Sequence, residues 1–206
     1  MTDLVPRLRR FRHSNGWIFG TMLFSAGLSL TASFVLSIDA VKLAGNPQAA
    51  LSCNINSVIS CGTVGTSWQA HLFGFPNAFL GLVAEPVVIT IAVASLGGVR
   101  FPRWFMFSAQ VVYTLGVLFA YWLFYESMFH IHALCPWCLL VTASTTLVFA
   151  TLTHVNIRDG NLLLPKRTEA ALHAALRAEL DAIVVAIWLL ALALAIVLRY
   201  GSALFA

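Results

Sequence analysis

The chain has 206 residues, of which 60% are hydrophobic, and its charged residues are 12 Lys and Arg against 8 Asp and Glu. An ordinary soluble domain is roughly 45–50% apolar, so this composition excludes a water-soluble globule; it also excludes disorder, which needs few apolar and many charged residues. The net charge of +4 comes from basic residues dispersed over short segments rather than gathered on one face, which argues against a nucleic-acid partner and for residues that mark membrane topology.

Five charge-poor apolar stretches follow one another, at 17–38, 76–96, 104–126, 134–154 and 181–200. Each suffices for the ~20 helical residues that cross ~30 Å of hydrocarbon. The expected fold is an all-α integral membrane protein forming one membrane domain. Four helices within 17–154 make a transmembrane bundle, an extracytoplasmic loop at 39–75 caps it, and a fifth transmembrane helix follows a connection at 155–180. The first run is too long for a signal-peptide core and lacks a small-x-small cleavage site, so it reads as a retained anchor.

Lys and Arg near helix ends stay on the cytoplasmic side. Arg7, Arg9, Arg10 and Arg12 precede the first helix, Arg100 and Arg103 follow the second, and Arg158, Lys166, Arg167 and Arg177 follow the fourth; only Lys42 and Arg199 fall opposite. This split places residues 1–16 in the cytoplasm and the C-terminus outside a multi-pass cell-membrane protein. The loops 39–75 and 127–133 are then extracytoplasmic. Within the cytoplasmic connection, 168–180 reads as an amphipathic helix, with Leu172, Leu176 and Leu180 opposite His173 and Arg177.

All four cysteines fall on the extracytoplasmic side: Cys53 and Cys61 in the long loop, Cys135 and Cys138 where the fourth helix begins. In Cys135-Pro136-Trp137-Cys138 the first sulfur meets free N–H groups and the positive end of a helix, which lowers its pKa and suits it to exchange. A structural disulfide or half a zinc site are the alternatives, although a staple usually closes a longer loop and zinc needs two more convergent ligands. Alone, Cys53 and Cys61 read as a structural bridge in an exported loop. Beside a Cys-Pro-x-Cys pair they read instead as a second redox pair, and no metal is expected.

Two dithiol pairs on one face of a bundle suggest a relay whose electrons leave through the membrane. A lipid-soluble two-electron acceptor such as a quinone can bring its ring to the interface while its tail stays in hydrocarbon, in a pocket of apolar walls with a few polar groups. Asn77, beside Pro76 at the start of the second helix, can either hydrogen-bond a quinone oxygen or cap the helix.

With Cys-x7-Cys in the first outer loop, Thr66-Ser67-Trp68 beyond it, Gly-Phe-Pro-Asn-Ala-Phe-Leu-Gly at 74–81 and Cys-Pro-Trp-Cys opening the fourth helix, the sequence resembles the vitamin K epoxide reductase family over roughly 17–154. The resemblance implies a bacterial member without a fused thioredoxin-like domain. Its acceptor would be a quinone of the menaquinone, ubiquinone or vitamin K type, and its donor a separate thioredoxin-fold (DsbA-like) protein. Cys53 would receive electrons from that partner, Cys61 would exchange with Cys135, and Cys138 would face the quinone. Asn77 would bond a quinone carbonyl and Ser67 would belong to the closing loop. Thr142 stands where vertebrate members carry a tyrosine, a departure that bears on inhibitor sensitivity and epoxide preference. The rival class is a non-catalytic membrane protein with two structural disulfides.

Glu85, followed by Pro86, is an intramembrane carboxyl and so a functional candidate, with a hydrogen-bonded structural role as the alternative. Glu126, His130 and His132 lie near the Cys-Pro-Trp-Cys turn and can either pass protons or form a solvated helix end. Leu72, Phe73 and Phe75 read as interface anchors or as bundle packing.

Overall fold

The computed structural model describes residues 12–204, apart from the side chain of Ser202. In chain order come α1 (Asn15–Gly45), α2 (Cys61–Gly65), a 3-10 turn (Trp68–His71), α3 (Ala78–Leu96) and α4 (Arg103–Glu126). A π turn (Ser127–Ile131), α5 (Pro136–Arg158), α6 (Lys166–Arg177), α7 (Leu180–Tyr200) and a 3-10 turn (Gly201–Leu204) complete it. Among the described residues five helices are long and apolar enough to span a bilayer: α1, α3, α4 continued by the π turn, α5 and α7. The chain is a multi-pass all-α membrane protein.

Helix α1 organises the bundle. Ser25, Ser29, Ser33 and Ser37 recur every fourth residue and are all buried, so one face of α1 is a stripe of small side chains against which neighbouring backbones approach closely. Both α3 and α5 pack along α1, and α4 packs on α5. At Gly81 of α3 a Cβ would collide with the Ser33 side chain, so glycine is required by the close approach itself. The core joins Phe19 and Met22 of α1, Ile91 of α3, Met106 of α4 and Val148 and Leu152 of α5.

Consecutive helices α3 and α4, in contrast, scarcely touch. The bundle is therefore open along one side, where Val83 and Val87 of α3 and Val112 of α4 line a cavity. Helix α7 lies outside the core with no buried residue. It is tied at one end by Arg12, whose guanidinium bonds Glu179 and Asp181 at 3.1 and 2.9 Å, and by His154, 2.7 Å from Asp181. His13 packs 3.3 Å from His154, and burial, together with the charges of His154 and Arg12, lowers its pKa.

Several boundaries differ from the sequence expectation. The first helix ends at Gly45 rather than at 38; its 31 residues measure about 46 Å at ~1.5 Å per residue, so its last turns project beyond a ~30 Å hydrocarbon layer. Consequently part of 39–75 is helical, and Asp39 lies on α1 rather than in the loop. The third apolar stretch continues through the π turn, and the fourth helix starts at Pro136 and runs to Arg158 rather than from 134 to 154. The amphipathic helix ends at Arg177, because Glu179 adopts a left-handed conformation with φ 59°; Leu180 therefore opens the fifth span instead of closing the amphipathic face.

Candidate functional site

The loop between Cys53 and Cys61 is folded by its two asparagines. Asn54 Oδ1 accepts the Gly62 N–H at 2.8 Å, and Asn56 Oδ1 accepts the N–H groups of Val58 and Ile59 at 3.0 and 2.7 Å. The compacted loop then pairs with the segment before α5: Leu134 N–H donates to Val58 O at 2.7 Å and Ser60 N–H donates to Leu134 O at 3.0 Å. This short parallel pairing sets Cys61 and Cys135, the next residue on each side, against one another.

Cys53 and Cys61 form a disulfide, while Cys135 and Cys138 are free thiols. Cys135 Sγ lies 3.1 Å from Cys61 Sγ, inside the ~3.5–4.0 Å of ordinary nonbonded carbon contacts. Cys135 is the N-cap residue of α5, with Pro136 in its first turn, and accepts the Cys138 N–H at 3.4 Å. Its pKa is lowered, first by the hydrogen bond from the Cys138 side chain; burial opposes this, the Cys138 and Trp137 N–H groups add to it, and the charge of Asp39 opposes it. A depressed thiol in contact with a disulfide sulfur is the geometry of thiol–disulfide exchange.

Beneath the cysteines a cavity of about 770 Å³ descends between α3 and α4. Cys61, Cys135, Cys138, Ser67, Gln69 and Asn77 line its cysteine end, and nearly all of the remaining wall is apolar. Asn77 precedes α3 but makes no capping bond. Its Nδ2 instead donates to Gln69 O at 2.6 Å, and its buried Oδ1 has no partner in the protein. An amide carries two N–H donors and one acceptor oxygen, so one N–H and Oδ1 remain for a ligand. Ser67 lines the cavity wall, although its hydroxyl donates to Val64 O at 2.7 Å. Thr142 also lines the cavity, one turn below Cys138, whose carbonyl it bonds at 3.0 Å. Among the described residues no group of three or more His, Cys, Asp and Glu side chains is placed to hold a metal ion.

Glu85 is buried mid-span and accepts hydrogen bonds from Ser29 Oγ at 2.8 Å and the Tyr113 hydroxyl at 3.1 Å. Two donors from two other helices answer its carboxyl, which makes it a node joining α1, α3 and α4. Glu126 is buried too and accepts Gln69 Nε2 at 3.0 Å, with His130 3.2 Å away. It thereby fastens the 3-10 turn whose Gln69 carbonyl holds Asn77. The His132 Nδ1 lies 3.1 Å from His130 O. Leu72, Phe73 and Phe75 are substantially exposed, and the Phe73 ring packs 5.5 Å from Phe119 of α4.

Asp39 and Gln69 escaped the sequence reading. The signal for Asp39 was an acid at the end of an apolar run; Gln69 sits in a loop without periodicity and carried none.

A polytopic helical protein whose cysteine pairs meet over an apolar cavity defines a membrane redox protein. The sequence matches the Vitamin K epoxide reductase family over residues 21–153, well over half of the chain, and the protein belongs to that family. No curated protein gives a match to the chain. Membership makes it an oxidoreductase of a family that generally uses quinones.

Proposed function

We propose that this protein oxidises a separate thioredoxin-fold protein on the extracytoplasmic face and passes the electrons to a membrane quinone, so supporting disulfide formation. The observation that carries this reading is the 3.1 Å approach of Cys135 Sγ to Cys61 Sγ, which joins an oxidised pair and a reduced pair at the mouth of an apolar cavity. A quinone supplies a two-electron acceptor that also takes up two protons. The residues fit one: the unpartnered Asn77 Oδ1 and its spare N–H suit either a quinol hydroxyl or a quinone carbonyl, and the gap between α3 and α4 suits an isoprenoid tail.

Electrons enter at Cys53 when a partner thiolate attacks the Cys53–Cys61 disulfide and Cys61 leaves as a thiolate. Cys61 then attacks Cys135 in an oxidised Cys135–Cys138 pair, and Cys138 carries the charge released toward the cavity. The arrangement in the structure, with the loop pair oxidised and the helix pair reduced, corresponds to electrons already moved inward. In this reading residues 17–154 are the working core, 155–180 a cytoplasmic connection and 181–200 an added span. The ten-to-two split of basic residues supports the orientation; of these, Arg7, Arg9 and Arg10 lie outside the described residues.

Purified protein given a short-chain quinone and a reduced thioredoxin-fold donor is expected to reduce the quinone, and Cys135→Ala and Cys138→Ala are expected to abolish the reaction. Unchanged turnover in both variants refutes the proposal. A mass-spectrometric trap should also yield a Cys61–Cys135 bridge; two fixed disulfides insensitive to the donor would instead mark a structural role.

A further inference from the structure

Asp39 has no part in the relay as described, yet it is the acid closest to it. It lies on the projecting last turns of α1, is only 7% exposed and lines the cysteine end of the cavity. Its Oδ2 is 4.0 Å from Cys53 Sγ and its Oδ1 is 3.6 Å from Lys42 Nζ. A buried carboxylate is costly without compensation, and Lys42, whose side chain is 57% exposed, compensates it weakly. The groups that face it are Lys42 on its own helix, Cys53 in the loop, and the Cys135 thiol at the start of α5, which feels its charge.

The sulfur that Asp39 faces is the one whose protonation changes when the two pairs exchange. If Cys135 attacks Cys61, the Cys61–Cys135 bond forms, the Cys53–Cys61 bond breaks, and the electron pair leaves on Cys53. A thiolate and a carboxylate 4.0 Å apart repel each other, so the two groups together favour holding one proton. We infer that Asp39 is the proton donor and acceptor of Cys53 during exchange between the two cysteine pairs, an assignment that rests on the relay reading above.

In the direction of net oxidation the Asp39 carboxylate takes the proton of the Cys53 thiol. The resulting thiolate attacks Cys61 in the Cys61–Cys135 bridge, the Cys53–Cys61 disulfide forms, and Cys135 departs as a thiolate. Cys53 sulfur is oxidised and Cys135 sulfur is reduced, so no further oxidant enters the step. The proton on Asp39 is then available to Cys53 when it next leaves, as the partner's second thiol resolves the mixed disulfide.

The test compares two donors over pH 5.5–9.5: a reduced thioredoxin-fold protein, which enters at Cys53, and a small dithiol, which reaches Cys135 and Cys138 directly. General acid–base assistance is typically worth 10²–10⁴-fold. Asp39→Asn is therefore expected to slow turnover about 100-fold or more with the protein donor while leaving the small dithiol within about threefold of wild type. The remaining protein-driven rate should climb toward the ordinary thiol pKa of ~8.5. Asp39→Glu, which keeps the carboxyl, should recover a large part of the rate and the wild-type profile shape. An unchanged pH profile in Asp39→Asn overturns the assignment, as does an equal loss with both donors in Asn and Glu variants alike, which marks a structural role. If instead Cys135→Ala and Cys138→Ala retain turnover, it is the relay itself that has failed.

Discussion

Asn56 provides the most direct check on whether loop geometry sets the rate of exchange between the cysteine pairs. Its Oδ1 receives two backbone N–H groups, at 3.0 and 2.7 Å, and its Nδ2 reaches Leu204 O at 3.3 Å beyond α7. Asn56→Ala removes all three bonds; Asn56→Asp keeps the two that shape the loop and loses the third. At ~0.5–1.5 kcal/mol per bond, the two loop bonds together contribute about 1–3 kcal/mol to the folded register. At ~1.4 kcal/mol per tenfold change, the ratio of molecules holding Cys61 against Cys135 to those not holding it should fall roughly 5- to 150-fold in the alanine variant. The assay is rapid-quench alkylation after mixing with a reduced thioredoxin-fold donor, following the transfer of electrons from the loop pair to Cys135 and Cys138. Transfer should slow in Asn56→Ala by up to a factor in that range and remain within a few-fold of wild type in Asn56→Asp. Equal transfer rates in wild type and Asn56→Ala would refute the argument, since Cys61 would then reach Cys135 without the folded loop.

Three further expectations follow from the packing and electrostatics. Gly81→Ala drives a methyl group into Ser33 and should lower stability by ~1–3 kcal/mol in thermal unfolding of the detergent-solubilised protein, whereas Gly27→Ala, with nothing within 4 Å of the added atom, should be neutral or mildly stabilising. The alkylation rate of Cys135 should rise with pH around a midpoint below that of the same thiol in the unfolded chain, because its pKa is lowered; removing the largest cause with Cys138→Ala should move that midpoint upward, and a midpoint that stays put contradicts the hydrogen-bond account. Glu126→Leu leaves the buried Gln69 amide unpaired, at ~1–3 kcal/mol, and frees the turn that holds Asn77. Steady-state kinetics should show a KM for quinone raised about tenfold with kcat less affected, while Glu126→Gln, whose amide oxygen still accepts the bond, should lie close to wild type.

Much of the architecture was legible because the bilayer imposes it. Apolar stretches long enough to cross hydrocarbon have one inexpensive conformation, so the five spans and the all-α class followed from hydropathy alone. Boundaries were less legible, since a helix that leaves the bilayer meets no abrupt change in composition. The run ending at 38 reads as a complete span, yet α1 continues to Gly45 because Leu43 packs beneath the cysteine loop with Leu51 and Val64. Asn77 shows the same limit at a single residue: its place before α3 suggested a cap, and the Gln69 carbonyl, eight residues earlier in the chain, drew its amide away.

The sequence by itself determined that this is a membrane protein, that its four cysteines come as a loop pair and a helix-start pair, and that the second pair has an activating first member. Those properties are local: hydropathy, spacing, and the N–H groups at a helix start act within a few residues. The family resemblance already paired Cys61 with Cys135; only the tertiary structure decided how closely they meet, 3.1 Å between sulfurs, that a buried acid stands behind Cys53, and that the cavity opens between α3 and α4. Each of these depends on contacts between segments far apart in the chain. Their geometry comes from a serine stripe, one glycine and two asparagines acting together, and no single stretch of sequence records it.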